Sequence, residues 1–222
     1  MTQAGSGGEV IRDPLWDNIR LEPVAVRAID TATFQRLRYV RQLGHAFLVY
    51  PGATHTRFEH GLGAYHLARR ALATLQERGD LSRIDDSECL AVRLAALLHD
   101  IGHYPFSHAL EEAGFPGHEA LGARRLRDAA LGQLLHSLGG DQLIDRIAAL
   151  IQGTSDSPLA GLVSGSLDLD KIDYLSRDAH MCGVPYGIVD VDRLLASLAL
   201  VELDDGRRAL GVQEKGISAL ES

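Results

Sequence analysis

The sequence predicts a mainly α-helical domain with one small β-hairpin near its C-terminal end. Leu and Ala recur at three- and four-residue spacing along most of the chain, and aromatics make up only 5% of its 222 residues. The one stretch that reads as paired strands lies after Leu198. Amphipathic helices carry apolar residues at i, i+3, i+4 and i+7, whereas strands read with period two. Hydrophobic residues at 45% and charged residues at 23% are the balance of a globular chain. A net charge of −8 and a pI near 5.6 argue against nucleic acid as a partner, because that footprint is basic.

Taken in order, residues 1–9 include Gly5, Ser6, Gly7 and Gly8, bury nothing and read as a flexible tail. From Asp30 the spacing of Phe34, Leu37, Val40 and Leu43 predicts a helix that stops at Gly44. Tyr50-Pro51-Gly52-Ala53-Thr54 is a turn. The stripe Phe58, Leu62, Tyr65, Ala68, Leu72 and Leu75 predicts a second helix ending near Gly79. Asp85, Asp86 and Ser87 offer N-caps for a third helix, apolar at Leu90, Leu94, Leu97, Leu98 and Ile101 and ending at Gly102. Further helices are expected over Ser107–Ala113, from His118 to about Leu138, over Asp141–Gln152 and over Asp168–Ala179. Leu198–Leu203, Asp204-Asp205-Gly206 and Arg208–Gln213 form a hairpin around an Asp-Gly turn. Gly216–Ser222 opens a helix cut off after about one turn, too short to stand alone. The expected organisation is a tail over 1–9, the main domain over 10–197, and the hairpin with the start of a truncated region over 198–222.

Cys89 and Cys182 cannot build a disulfide framework, and no cysteine pair has metal-site spacing. The start, MTQAGSGGEV, lacks signal-peptide features, and no stretch approaches ~20 apolar residues. The expectation is a cytoplasmic protein with no membrane partner.

The unusual feature is the placement of ten histidines. Leu97-Leu98-His99-Asp100-Ile101-Gly102-His103 ends an apolar helix in a His-Asp pair, and burying such a pair is costly unless a partner compensates it. A divalent cation is such a partner, because neutral imidazole and carboxylate are both good first-row metal ligands. His99 and His103 share one face if the helix continues that far. His60 at the start of the second helix and Asp170 at the start of a later one offer a further imidazole and carboxylate. Alone, His60 reads as a solvated residue and a helix-start Asp as a cap; the combination points to a metal site. Lys171, Tyr174 and Asp178, spaced i, i+3 and i+7, can share one helical face, although Tyr174 reads almost equally well as core packing. Arg36, Arg38 and Arg41 read as a solvated basic face.

These motifs, with Phe34–Arg38, Gln42-Leu43-Gly44, Tyr50–Ala53, Arg57–His60, His99–His108 and Asp170–Asp178 in order, resemble the HD-domain metal-dependent phosphohydrolases. Within them they look like the deoxynucleoside triphosphate (dNTP) triphosphohydrolase branch, over roughly residues 11 to 215. The resemblance implies an HD-domain helical bundle in which His60, His99, Asp100 and Asp170 hold Fe, Mn, Zn or Ni, with Mg carried by the nucleotide. It implies cleavage at the α-phosphorus to deoxynucleoside and triphosphate. His103, His108 and His118 match additional active-site histidines, with His108 or His118 as general acid and His103 as a phosphate or second-metal contact. Arg57 and Lys171 are implied at phosphate, and Gln42, Leu43, Tyr174 and Asp178 at the sugar. The family also implies a homo-oligomer, a dimer or tetramer. In that family the chain runs on well past Lys215 and adds phosphate- and base-contacting groups, none of which is visible in these 222 residues. Alternatives are an HD phosphohydrolase acting on a monophosphate or cyclic dinucleotide, and a non-catalytic nucleotide-sensing module.

Overall fold

A computed structural model describes residues 8–166, 168–185 and 189–213. Strand β1 (Glu9–Asp13) pairs antiparallel with β2 (Asp17–Leu21), and short helices α1 (Pro23–Ile29) and α2 (Ala32–Gln35) follow. The long helices α3 (Arg57–Glu77) and α4 (Asp86–Leu98) come next, then α5 (Ser107–Glu112), α6 (His118–Arg125) and α7 (Ala129–Ile151). After α8 (Gly161–Ser164), α9 (Leu169–Cys182) and α10 (Val191–Ala196), β3 (Leu198–Glu202) and β4 (Arg208–Val212) form the closing hairpin.

Helix α3 is the axis of the fold and packs against α4 on one side and α9 on another. It starts at a capping box, in which Thr56 N–H donates to Glu59 Oε2 at 2.6 Å. Along it Leu62, Ala64, Tyr65, Leu67, Ala68, Ala71 and Leu75 are buried, and α4 answers with Ala91, Val92 and Leu94–Leu98. Each fully buried Leu contributes roughly 1.5–3 kcal/mol by the apolar area it removes from water. Asp85 caps α4 by accepting from Glu88 N–H at 2.7 Å, as expected from its position.

The structure departs from the sequence reading in several elements. The hairpin β1–β2 was not foreseen: Glu9, placed in the tail, begins β1, while residues 1–7 lie outside the described residues. Its alternation amounts to Ile19 and Leu21 buried and Arg20 exposed, too short to register as a pattern. The helix expected from Asp30 to Gly44 is α2 plus a 3-10 turn over Arg36–Tyr39, because the backbone at Val40–Gln42 pairs with His55–Arg57 instead. Arg57 N–H donates to Val40 O at 2.9 Å and Gln42 N–H to His55 O at 3.1 Å. The third helix ends at Leu98, and His99–Gly102 is a 3-10 turn. The helix expected over His118–Leu138 is split between α6 and α7, with Leu126 turned into the core at the break. The expected break after Leu138 is present as non-helical backbone at Gly139 and Gly140 inside α7. The helix start at Gly216–Ser222 lies outside the described residues. Among the described residues no helix is long and apolar enough to cross a membrane.

Candidate metal centre and active site

Three helix ends converge. The first turn of α3 carries Arg57 and His60, the 3-10 turn after α4 carries His99 and Asp100, and the first turn of α9 carries Asp170. His60, fully buried, sets its Nε2 at 3.0 Å from His99 Nε2 and 2.9 Å from Asp170 Oδ1. His99 Nε2 lies 3.5 Å from Asp170 Oδ1 and 3.4 Å from Asp100 Oδ1, and Asp100 Oδ2 is 3.8 Å from His60 Nε2. The structure thus brings together all four residues singled out as metal ligands.

The tautomers show what this centre attracts. His99 Nδ1 lies 2.9 Å from the Ala96 carbonyl, which can only accept, so Nδ1 carries the proton. His60 Nδ1 lies 2.8 Å from Asp173 Oδ2, a carboxylate that fixes the same tautomer. In the neutral rings both Nε2 atoms are then bare lone pairs facing each other and two carboxylates. Acceptors crowded at about 3 Å need a cation between them, and imidazole nitrogen with carboxylate oxygen fits a first-row divalent metal. The titration behaviour has the same cause. Burial favours neutral His60, but hydrogen bonds to Asp170 and Asp173 with the charge of Asp100 push it up to about 10. His99 is raised against its burial by Asp100 and Asp170. Burial acts against ionised Asp100, yet His99, Arg57 and His103 hold it well below the usual carboxylate range. Asp170 is likewise lowered, by His60 and His99.

A cleft of about 500 Å³ opens beside this centre. Arg57 lines it and donates through Nη1 to Asp100 Oδ2 at 2.7 Å. His103, His108 and His118 form a further part of its wall. The rings of His103 and His118 stack at 3.8 Å between centroids, and His108 stands edge-on to both at 5.0 and 5.2 Å. Both nitrogens of His103 are engaged, Nε2 at 3.2 Å from Asp100 Oδ1 and Nδ1 with Ser107 Oγ. Burial pushes its pKa down to about 4, against the pull of Asp100. His99 and His103 do not share a helical face, because the chain leaves the helix at Leu98. Glu111 Oε1 accepts from the backbone N–H of His118 at 3.1 Å and lies 2.9 Å from its Nδ1. The wall is tight because Gly102 has no side chain: a Cβ there would lie 1.9 Å from His118 O and 2.4 Å from Gly122 N.

Gln42, Leu43, Tyr174 and Asp178 also face the cleft. The Gln42 Oε1 is buried with no hydrogen-bond partner. Asp178 Oδ1 lies 2.7 Å from Nε2 of the buried His55. Lys171 sits at the edge of the cleft: its Nζ donates to Oδ2 of the cleft-lining Asp168 at 2.7 Å and to Gly165 O at 3.0 Å.

Several residues of the site escaped sequence reasoning. Asp173, Arg177, Asp13, Trp16, His55, Glu111 and Arg36 all touch a site residue or its support. The Asp173/Arg177 pair at i, i+4 in the same helix was the one available signal. Arg36 is not part of a solvated basic face: it donates through Nη1 to Ile101 O at 3.0 Å and through Nη2 to His103 O, bracing the turn that carries the His-Asp pair. Arg38 stacks over the Phe58 ring at 3.5 Å and Arg41 over Phe47 at 3.9 Å.

A helical domain that aims two imidazoles and two carboxylates from separate helices at one point, beside an open cleft, has the donor set of a metal-dependent hydrolase. Residues 57–178 match the family model of the HD domain, and the chain belongs to the HD-domain family of phosphohydrolases. It is 37% identical over 215 residues to an uncharacterised protein of Methanocaldococcus jannaschii, covering 96% of this chain and 43% of that one. It is 32% identical over 234 residues to the human deoxynucleoside triphosphate triphosphohydrolase SAMHD1, covering 90% of this chain and 37% of that one. The crystal structure of a hypothetical protein from Aquifex aeolicus superposes with a TM-score of 0.83 at 36% identity, covering 96% of this chain and 56% of that one. The chain therefore spans less than half the length of these two curated relatives.

Proposed function

We propose that this chain carries the catalytic core of a metal-dependent dNTP triphosphohydrolase. The observation that carries the reading is the convergence of His60, His99, Asp100 and Asp170 beside a cleft walled by Arg57 and three histidines. His60, His99, Asp100 and Asp170 are assigned as ligands of Fe, Mn, Zn or Ni, with Mg accompanying the nucleotide. A divalent ion held there supplies Lewis acidity to the attacking water and to a phosphoryl oxygen.

The remaining roles fall to the chain's own groups. Water adds at the α-phosphorus, giving up a proton to solvent, as the bond to the 5′ oxygen breaks, and that oxygen leaves as a hydroxyl by taking a proton from His108 or His118. With Nδ1 of His118 turned to Glu111, its Nε2 is the nitrogen left for that transfer. Arg57 uses one N–H on Asp100 and has others for the phosphates. His103, engaged at both nitrogens, orients Asp100. The unpartnered Gln42 Oε1 supports a sugar-hydroxyl contact, with Leu43, Tyr174 and Asp178 around the ring. Lys171 reaches a phosphate only by leaving Asp168. Residues 10–197 are assigned to the HD domain. The names of the SAMHD1 relatives support the dNTP as substrate. Family likeness supports assembly as a homo-oligomer, and two unpaired cysteines support a cytoplasmic site of action.

The test is to incubate the purified chain with each dNTP and Mn²⁺ or Mg²⁺ and to separate the products by chromatography. Deoxynucleoside with intact triphosphate is the expected outcome. Release of pyrophosphate or monophosphate moves the chain to another nucleotide chemistry, and binding without turnover moves it to a sensing role.

A further inference from the structure

Behind the metal centre lies a second set of charges that the proposed chemistry does not use. Asp173 and Arg177 on α9 and Asp13 at the end of β1 are each buried to within a few per cent of full exclusion from water. Arg177 donates through Nε to Asp173 Oδ2 at 2.9 Å and through Nη2 to Asp173 Oδ1 at 3.0 Å. Its Nη1 donates to Asp13 Oδ2 at 2.9 Å. Trp16, in the turn between β1 and β2, donates its Nε1–H to Asp173 Oδ1. Asp173 Oδ2 in turn receives His60 Nδ1–H at 2.8 Å.

Buried ion pairs of this kind are poor devices for stability, since desolvation offsets most of the Coulomb gain. What they define well is geometry. Both oxygens of Asp173 are held by two donors each, so the carboxylate cannot rotate, and the plane and tautomer of the His60 ring follow from it. The fold makes room for this arrangement in α3: a Cβ on Gly63 would lie 1.8 Å from Asp173 Oδ1 and 2.6 Å from Arg177 Nη2.

We propose that Asp13 and Trp16 are positioning residues for the metal ligand His60, acting through Arg177 and Asp173. The N-terminal hairpin is thereby part of the metal site, although it lies outside residues 57–178 that match the HD domain. This rests on the assignment of His60 as a ligand.

The test is titration of the metal-free full chain with Mn²⁺, read by electron paramagnetic resonance, and with Co²⁺, read by its visible absorption. Asp13→Asn keeps an oxygen to accept from the backbone N–H groups of Leu15 and Trp16, and so preserves the turn, but removes the negative charge that faces Arg177. It is expected to weaken Mn²⁺ binding about 10- to 100-fold and to change the Co²⁺ spectrum. Trp16→Phe keeps the ring and deletes one donor to Asp173; a loss of about tenfold is expected, and it decides alone if Asp13→Asn does not fold. Ile19→Val loosens the same hairpin through its buried core face without touching a charge. Unchanged Mn²⁺ affinity in the folded Asp13 and Trp16 variants overturns the proposal, as does an equal loss in Ile19→Val. A wild-type chain that binds neither ion overturns the ligand assignment itself, and the proposal falls with it.

Discussion

The two sides of the site are built differently. On one, His60, His99 and Asp100 are held at the ends of long, buried helices, and each has a second contact that fixes its orientation: Asp173, the Ala96 carbonyl and Arg57. On the other, His108 and His118 lie on the short helices α5 and α6, partly open to solvent, and Glu111 braces His118 alone. A cation site needs donors that do not relax when the ion leaves, whereas proton transfer needs a group that meets both substrate and water. The contrast supports the proposed division, with metal binding on the rigid wall and proton traffic on the looser one.

The largest effect that can break this contrast is loss of a rigid-wall ligand. Asp100→Ala is expected to abolish metal binding and turnover together. It also leaves Arg57 buried without its carboxylate, a cost of about 3–5 kcal/mol in the melting of the metal-free chain. Retained metal, by elemental analysis of the folded variant, breaks the assignment. Next comes His118→Ala, which is expected to keep metal content at the wild-type level while lowering turnover about 10²–10⁴-fold. Wild-type turnover would take that histidine out of the chemistry.

Between the walls sits Gly102. Gly102→Ala drives a methyl into the start of α6 and is expected to cost about 1–3 kcal/mol, measured by denaturant unfolding, while the metal donors themselves stay in place. A fully stable variant would show that α6 is not seated on the His-Asp turn.

Acid and alkali sharpen the same comparison in the metal-free chain. His60 is raised to about 10, so the stability it contributes is whole below its unfolded pKa of about 6.5 and is lost as pH rises through about 10. Asp100, Asp170 and Asp173 are lowered, so their contribution is present above about pH 3.9 and is lost as pH falls through their folded values. Melting temperature of the metal-free chain should therefore decline between pH 6.5 and 10, and a flat profile over that range counts against the acceptor-crowded centre. The smallest effect is expected at the rim. Lys171→Ala should raise KM less than about tenfold with kcat nearly unchanged, because the amine is already engaged by Asp168.

How much of this was legible beforehand varies with the range of the interaction. The helices over Arg57–Glu77 and Asp86–Leu98 were readable, because thirteen to twenty-one residues of periodic apolar pattern and an Asp85 cap are local signals. The helix expected from Asp30 to Gly44 failed past Gln35, where backbone pairing with His55–Arg57 overrode a helical spacing. The four metal-ligand candidates were readable because two adjacent residues, His99 and Asp100, announce an unusual chemistry at the end of an apolar helix. Their supports were not readable. Asp13, Trp16 and Asp173 are ordinary residues until the chain brings positions some 160 apart into contact.

By itself the sequence determined the donor chemistry, the acidic balance and most of the helices, since each follows from residue types within a turn or two of one another. Only the tertiary structure decided that four donors share one centre, that Lys171 is held by Asp168 at the cleft edge, and that the N-terminal hairpin stands behind His60. Those outcomes depend on how close two helices or a strand end can approach. That distance is set by absent side chains such as those of Gly63 and Gly102, and by buried charges that must find partners wherever packing places them.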